Sequence, residues 1–357
     1  MGLDYRVKCC PDGLMTDRRH HVRVLDCTIR DGGLCNDWQF DEALVRRTAT
    51  ALAAAGVDVM EIGYRTADDA APDQVGPWRF SREADLRRVL AALDSPMKIA
   101  VMLDEGRAKL EDLVPKSESV IDVVRVATYA KDVDAAITLL EGAQDLGYET
   151  FCNVMAVSTC TPQEVDVFLE KLRNSRVPNV AIVDSFGALY PHHVRYLMRK
   201  YKNWLRPDQK VGVHLHNNQQ TAFANSIAAV DEGADFVDAT VMGIGRGAGN
   251  CPLELLLLYL DDPRFDVRPL LEVSGDFAAL QDDLKWGYHL PYVISGWLNL
   301  HPQAAMARMK AADPEGCLDF FETLTRQRPL ARHHRARFEP VPESPNQGTP
   351  GKSPAKV

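Results

Sequence analysis

Short apolar runs alternate with longer stretches of helical spacing along most of the chain. Residues 22–28 read as a buried strand, and residues 40–55 as a helix with an alanine-rich face that Gly56 closes as a C-cap. The same pair recurs. Further strands are expected over 57–63, 98–103, 120–127, 149–157, 179–184, 210–216 and 236–242. Helices are expected over 82–93, 133–146, 191–204, 219–232 and 252–260, with a weaker one over 108–114. Another opens at Thr161-Pro162, which supply an N-cap and a first-turn proline. Eight strand–helix units within residues 22–260 match the count of a closed (β/α)8 TIM barrel, an α/β fold. A doubly wound open sheet is the rival. It usually carries a glycine-rich first turn, and Thr28-Ile29-Arg30-Asp31-Gly32-Gly33 lacks the G-x-G-x-x-G spacing.

The alternation fails at both ends. Residues 1–20 are polar and read as an N-terminal arm, 21–265 as the barrel, and 266–335 as a C-terminal helical appendage. Residues 336–357, rich in Pro, Gly, Ser and Lys, hold too few apolar side chains to offset the entropy of ordering and are expected to form a disordered tail.

Composition narrows the classes of function. Hydrophobic residues make up 46% of the 357, enough for a sizeable core. A formal net charge of −9 gives no basic face for a polyanion, so nucleic acid is not an expected partner. The longest apolar run, 253–260, is interrupted by Glu254 and falls short of a bilayer span, so no membrane anchor is expected. Eight cysteines show no C-x-x-C pair, and no secretory apolar segment follows Met1, which together suggest free thiols in a reducing cytoplasm.

Chemistry concentrates where strands should end, the face on which barrels carry their sites. On an extended strand Gly212, His214 and His216 point to one face, placing the two imidazoles about 7 Å apart, within reach of one metal ion. Taken alone they are equally two hydrogen-bonded strand-end histidines. The first strand ends in Arg30-Asp31-Gly32-Gly33, and the eighth in a glycine-rich turn reaching Asn250. Arg30 beside Asp31 also suits a surface ion pair, and Asn250 a helix cap. A carboxylate, two imidazoles and an amide at one mouth would suit a six-coordinate divalent ion with open positions better than a closed tetrahedral zinc site.

This combination resembles the DRE-TIM metallolyase superfamily over residues 22–260. Asp184-Ser185-Phe186-Gly187 and the run GRGAGNCPLE at 245–254 are most similar to the 4-hydroxy-2-oxovalerate aldolases and their aldolase-like relatives. The resemblance implies that Asp31, His214 and His216 bind Mn2+ or Mg2+, with Co2+ or Zn2+ as substitutes, and that Asn250 lies in or near that site. It further implies that Arg30 stabilises an enolate and that Ser185 holds the oxo acid. A 2-oxo acid chelating the ion would have its carbonyl polarised, opening carbon–carbon bond chemistry beside it.

The chain departs from the family at one place. Where pyruvate-forming aldolases carry a catalytic histidine, three residues after the aspartate, this chain has Leu34, which carries no proton. Tyr64, Asp37 and His289 are the leading substitutes for the acid/base, with Cys35, Tyr129 and Tyr288 behind them. Tyr64 is also expected to contact substrate. Each also has a plain structural reading as packing, a free thiol or a surface acid. Glu61 reads as a hydrogen-bonding group inside the barrel, and His192-His193 and His333-His334 as solvated pairs.

The leading functional expectation is a metal-dependent aldolase acting on a small 2-oxo acid, in specialised biosynthesis. A Claisen-type condensation of an acyl-CoA with an oxo acid is the second reading, and a metal-binding barrel without chemistry the third. The concentration of Trp286, Tyr288, Tyr292, Trp297 and Leu300 suggests a homo-oligomer, at least a dimer, joined through the C-terminal helices.

Overall fold

Eight strands pair in parallel and in sequence order, and β1 (Arg23–Asp26) closes the circle against β8 (Phe236–Ala239). The rest are β2 (Val59–Tyr64), β3 (Lys98–Asp104), β4 (Val123–Thr128), β5 (Glu149–Val154), β6 (Asn179–Asp184) and β7 (Lys210–Leu215). This computed structural model describes residues 19, 21–66, 74–311 and 316–327. Residues 1–18 and 20 of the arm expected at 1–20, the tail at 336–357, and His333 and His334 lie outside the described residues.

The barrel is the TIM barrel expected from the alternation, and it fills from the bottom upward. Leu25, Val59, Ala100, Val123, Phe151, Ala181 and Phe236 form an apolar floor inside the strands. Gly212 completes it, because a Cβ there would stand 2.2 Å from the Phe236 ring. Two residues further along five of the strands the same face turns polar, with Glu61, Arg125, Asn153, His214 and Asp238 all buried. The sequence thus raises a dry plug with a charged layer on top of it, toward the C-terminal mouth.

Outside the barrel run α2 (Glu42–Ala54), α3 (Glu83–Val89), α4 (Val133–Asp145), α5 (Pro162–Arg173), α6 (Pro191–Trp204), α7 (Ala222–Asp231) and α8 (Leu253–Leu260), preceded by α1 (Thr28–Asn36). The cap expected at Thr161 is present, its side chain accepting from the Glu164 backbone N–H while Glu164 reaches back to Thr161. The helix expected over 108–114 is not formed. One 3-10 turn, Leu110–Asp112, stands there, because Pro115 cuts the segment before a stable α-helix can nucleate. α1 is the reverse case, a helix where the sequence suggested the end of a strand and a loop.

Four more helices follow: α9 (Arg268–Leu284), α10 (Leu290–Trp297), α11 (Gln303–Lys310) and α12 (Cys317–Gln327). α9 lies on α2, its Asp276 paired with Arg47 at 3.0 Å and its Phe277 ring 6.4 Å from that of Phe40, just before α2. α10 leans over the barrel mouth, where Gly296 lets it approach Asn218 and Gly187. The Trp286 indole donates to the Met242 carbonyl at 3.0 Å, and Asn299 exchanges two hydrogen bonds with Ser158. Trp286 and Tyr292 are therefore buried within the chain, a correction to their expected place at a subunit interface, whereas Tyr288 and Trp297 stay exposed. Among the described residues no helix is long and apolar enough to cross a membrane.

Candidate metal centre

Three backbone segments converge at the mouth. α1 presents Arg30 and Asp31 on its first turns, and its glycines let it seat there. A Cβ on Gly33 would meet the Trp38 ring at 2.0 Å, and one on Gly32 the Ile244 side chain at 3.1 Å. The Trp38 indole in turn donates to the Arg30 carbonyl. β7 delivers His214, and His216 just beyond it is held in register by a bridge to Asn250. Gly245 and Gly249 fold the turn after β8 tightly enough that Asn250 points back at Asp31.

Asp31 is the hub. Its Oδ2 stands 3.0 Å from His214 Nε2 and 3.7 Å from His216 Nε2, accepts from Asn250 Nδ2 at 3.0 Å and pairs with Arg30 Nη1 at 3.3 Å. Its Oδ1 accepts the Arg246 backbone N–H at 3.3 Å. Below it the charges close into a ring. Arg30 Nε donates to Glu61 at 2.6 Å, Glu61 meets Arg125 at 3.3 Å, Arg125 donates to Asp238 at 2.6 Å, and Asp238 lies 2.9 Å from His214 Nδ1. Every member is buried. Glu61 is thus the interior hydrogen-bonding group the sequence suggested.

The electrostatics follow from these contacts. Burial alone would raise Asp31, but Arg30 and the two imidazoles hold it well below the usual carboxylate range. Asp238, likewise opposed by burial, is brought down to about 2 by Arg125 and His214. Burial pushes His216 well below an ordinary histidine, leaving it neutral. His214 is held somewhat above its ordinary value, the pull of Asp238 and Asp31 outweighing burial.

These residues fit a divalent cation. With Asp238 accepting the Nδ1–H, His214 turns its Nε2 onto the Asp31 carboxylate at 3.0 Å, a place that a ring proton fills and a bound cation would take over. Such a contact needs a positive charge between its partners. One donor atom each from Asp31, His214 and His216 lies within 4.8 Å of the others. Formally, the three carboxylates of the ring exceed its two guanidiniums by one negative charge. Asn250 Oδ1 and His216 Nδ1 are also buried, without partners among the described residues. The carboxylate behind His214 is the kind of support that fixes a ligating ring's tautomer and orientation.

The remaining sequence candidates fall in different places. Ser185 is buried beside the site, its hydroxyl accepting from the Ala156 N–H at 2.9 Å. Tyr64 packs its ring under the Arg79 guanidinium at 4.4 Å and 6.0 Å from that of Arg30, and burial raises its phenol above the ordinary value. Cys35 lies one helical turn after Asp31; its thiol donates to the Gly245 carbonyl at 3.1 Å and burial pushes it up to about 12. Leu34 packs against the main core. Asp37 is exposed as the left-handed C-cap of α1, and His289 sits at the start of α10 against Tyr292, in a surface cavity of about 650 Å³ shared with Trp286 and Lys310. Tyr288 lines that cavity too, and Tyr129 is exposed just after the C-terminal end of β4. His193 is not solvated as expected: it is buried, and its Nδ1 accepts the Tyr190 N–H to cap α6.

Arg125, Asp238 and Arg246 were not singled out by the sequence. Arg125 and Asp238 were findable as charges two residues beyond the apolar floor positions Val123 and Phe236, on the inward face of their strands. Arg246 carried no such signal.

A family profile described as HMGL-like matches residues 21–274. The chain is 31% identical over 309 residues to 4-hydroxy-2-oxovalerate aldolase 6 of Rhodococcus jostii, covering 81% of this chain and 84% of that one. It is 32% identical over 286 residues to the oxaloacetate decarboxylase of Mycobacterium tuberculosis, covering 80% and 82%. Among solved structures, the N-terminal domain of a candidate aldolase from Bacteroides vulgatus superposes with a TM-score of 0.73 at 31% identity, covering 86% of this chain and 100% of that one. The hydroxymethylglutaryl-CoA lyase of Pseudomonas aeruginosa shares the fold at 21% identity, with a TM-score of 0.61 over 73% of this chain and 93% of that one.

Proposed function

The chain belongs to the HMGL-like family, within the DRE-TIM metal-dependent lyases, and from that premise we propose that it cleaves or forms the carbon–carbon bond beside the carbonyl of a 2-oxo acid. The observation that carries this reading is the buried cluster of Asp31, His214 and His216 with Arg30 beside it. A divalent ion held by those three ligands, Mn2+ or Mg2+ by preference, would polarise the oxo-acid carbonyl.

The side chains supply the rest. Arg30, locked between Asp31 and Glu61, offers a fixed positive charge to an enolate oxygen, and costs no reorganisation when that charge develops. Ser185 spends its lone pair on Ala156 and keeps its own proton to donate to the substrate carboxylate. Tyr64, buried and held protonated, is the acid best placed near Arg30 to return a proton. Cys35, also a protonated thiol, stands on the opposite flank of Asp31. Asp37 and His289, exposed or remote, are weaker proposals for the acid/base. Asn250 steadies Asp31 and keeps its own oxygen free toward the site.

A retro-aldol cleavage and a decarboxylation of an oxo acid leave the same enolate, which accommodates the names of both relatives. We propose a reducing compartment such as the cytoplasm, since none of the six described cysteines is in a disulfide. We also propose self-association through the exposed Tyr288, Leu290, Trp297 and Leu318.

The metal-loaded enzyme, offered a panel of 4-hydroxy-2-oxo acids, should release a 2-oxo acid and a carbonyl fragment measurable by coupled reduction. Release of free CoA from an acyl-CoA and an oxo acid, without cleavage of the panel, would replace the aldolase by the Claisen reading. Turnover of neither class with metal bound would leave a binding barrel.

A further inference from the structure

Arg246 occupies the turn between β8 and α8, directly above the ligand cluster. Its backbone N–H is used by Asp31 Oδ1, and its Nη2 donates to the Ser185 carbonyl at 2.7 Å. Two of its other donors are not used. Nε is buried and has no acceptor among the described residues. Nη1 faces His301 Nε2 at 3.4 Å, and the tautomer of that ring decides what the contact is.

His301 Nδ1 accepts the backbone N–H of Gln303 at 3.1 Å, so its lone pair is committed there. A neutral His301 must then carry its proton on Nε2. Burial and the neighbouring guanidinium push His301 down to about 4, so the ring is neutral near pH 7. Nη1 and Nε2 therefore present two N–H groups to each other, with no acceptor between them among the described residues. The Phe186 ring backs the imidazole edge-on at 5.7 Å and fixes this edge in place. A half-buried guanidinium whose Nε–H is buried and unmet, beside the N–H of an imidazole that opens to solvent, is a receptor for a planar anion, and carboxylate matches the fork of arginine.

We infer that Arg246 and His301 hold a second carboxylate of the substrate, so that the preferred substrates are 2-oxo acids bearing a further carboxylate, not those with a neutral tail. The inference rests on the 2-oxo acid reading above, and it places the distal carboxylate on the side of Ser185, whose carbonyl Arg246 already grips. Both donors come from segments outside the barrel strands, the turn after β8 and the chain between α10 and α11.

Paired ligands that differ only in the distal group provide the test: 2-oxoglutarate against 2-oxopentanoate, and oxaloacetate against 2-oxobutyrate, titrated by calorimetry into the Mn2+-loaded enzyme. The dicarboxylate of at least one pair should bind tenfold or more tighter. Arg246→Ala should bring that ratio close to one with metal content unchanged, Arg246→Lys should restore part of it, and His301→Phe should lower it. Equal binding within both pairs, or a ratio untouched by Arg246→Ala, would overturn the inference while leaving the 2-oxo acid reading in place. Binding of none of the four would sink that reading and this inference with it. A loss of affinity in Arg246→Ala that is equal for both members of a pair would reduce Arg246 to a residue that merely props the turn.

Discussion

Asp238 never reaches the metal position, yet it determines what His214 can do there. By holding Nδ1 it turns Nε2 toward Asp31, and its own charge is secured by Arg125. Asp238→Asn should therefore weaken Mn2+ binding about 10- to 100-fold, the usual cost of losing a carboxylate behind a ligating histidine. His214→Ala and His216→Ala should lose the ion altogether while the far-ultraviolet spectrum stays that of the barrel. Metal analysis by mass spectrometry after gel filtration would decide, and full occupancy in the histidine variants would end the ligand assignment. At this scale the histidines and Asp31 were legible, because a two-residue period on a strand and an acidic residue at another strand's end are local patterns. The ring beneath them was not. Glu61, Arg125 and Asp238 sit on three strands and acquire meaning only once the barrel brings their inward faces together.

Among the elements, α1 holds the greatest interest, because its stability comes from its surroundings. Two glycines and no apolar stripe hide it from sequence patterns, and the helix persists since Trp38 and Ile244 close on those glycines. Gly33→Ala would force a methyl into the Trp38 ring, destabilising the protein by about 1–3 kcal/mol. The same change should displace Asp31 and lower metal affinity. Thr161→Ala, which removes the capping box of α5, should cost about 1 kcal/mol without touching the metal. Denaturant melts paired with Mn2+ titrations separate the two, and unaltered metal affinity in Gly33→Ala would show that α1 tolerates the shift. The outer helices with continuous apolar faces, such as α4 and α6, were readable because packing rewards their periodicity directly.

At the scale of the whole molecule, the barrel was legible as an alternation and the appendage only as a set of helices. Its aromatic side chains divide by destination, which composition cannot reveal: Trp286 and Tyr292 seal the mouth, whereas Tyr288 and Trp297 face outward. Light scattering across micromolar concentrations should show at least a dimer, and Trp297→Glu with Tyr288→Glu should dissociate it. A strict monomer in the unaltered protein would assign these side chains no partner. The central claim, that the cluster at the mouth turns a 2-oxo acid into its enolate, meets its most direct test in heavy water. Pyruvate incubated with the enzyme should exchange its C3 protons for deuterium, followed by proton NMR. Exchange should stop after chelation, return on adding Mn2+, and be absent in His214→Ala and His216→Ala. Exchange that survives chelation and both substitutions, or no exchange from a fully metal-loaded enzyme, would contradict it.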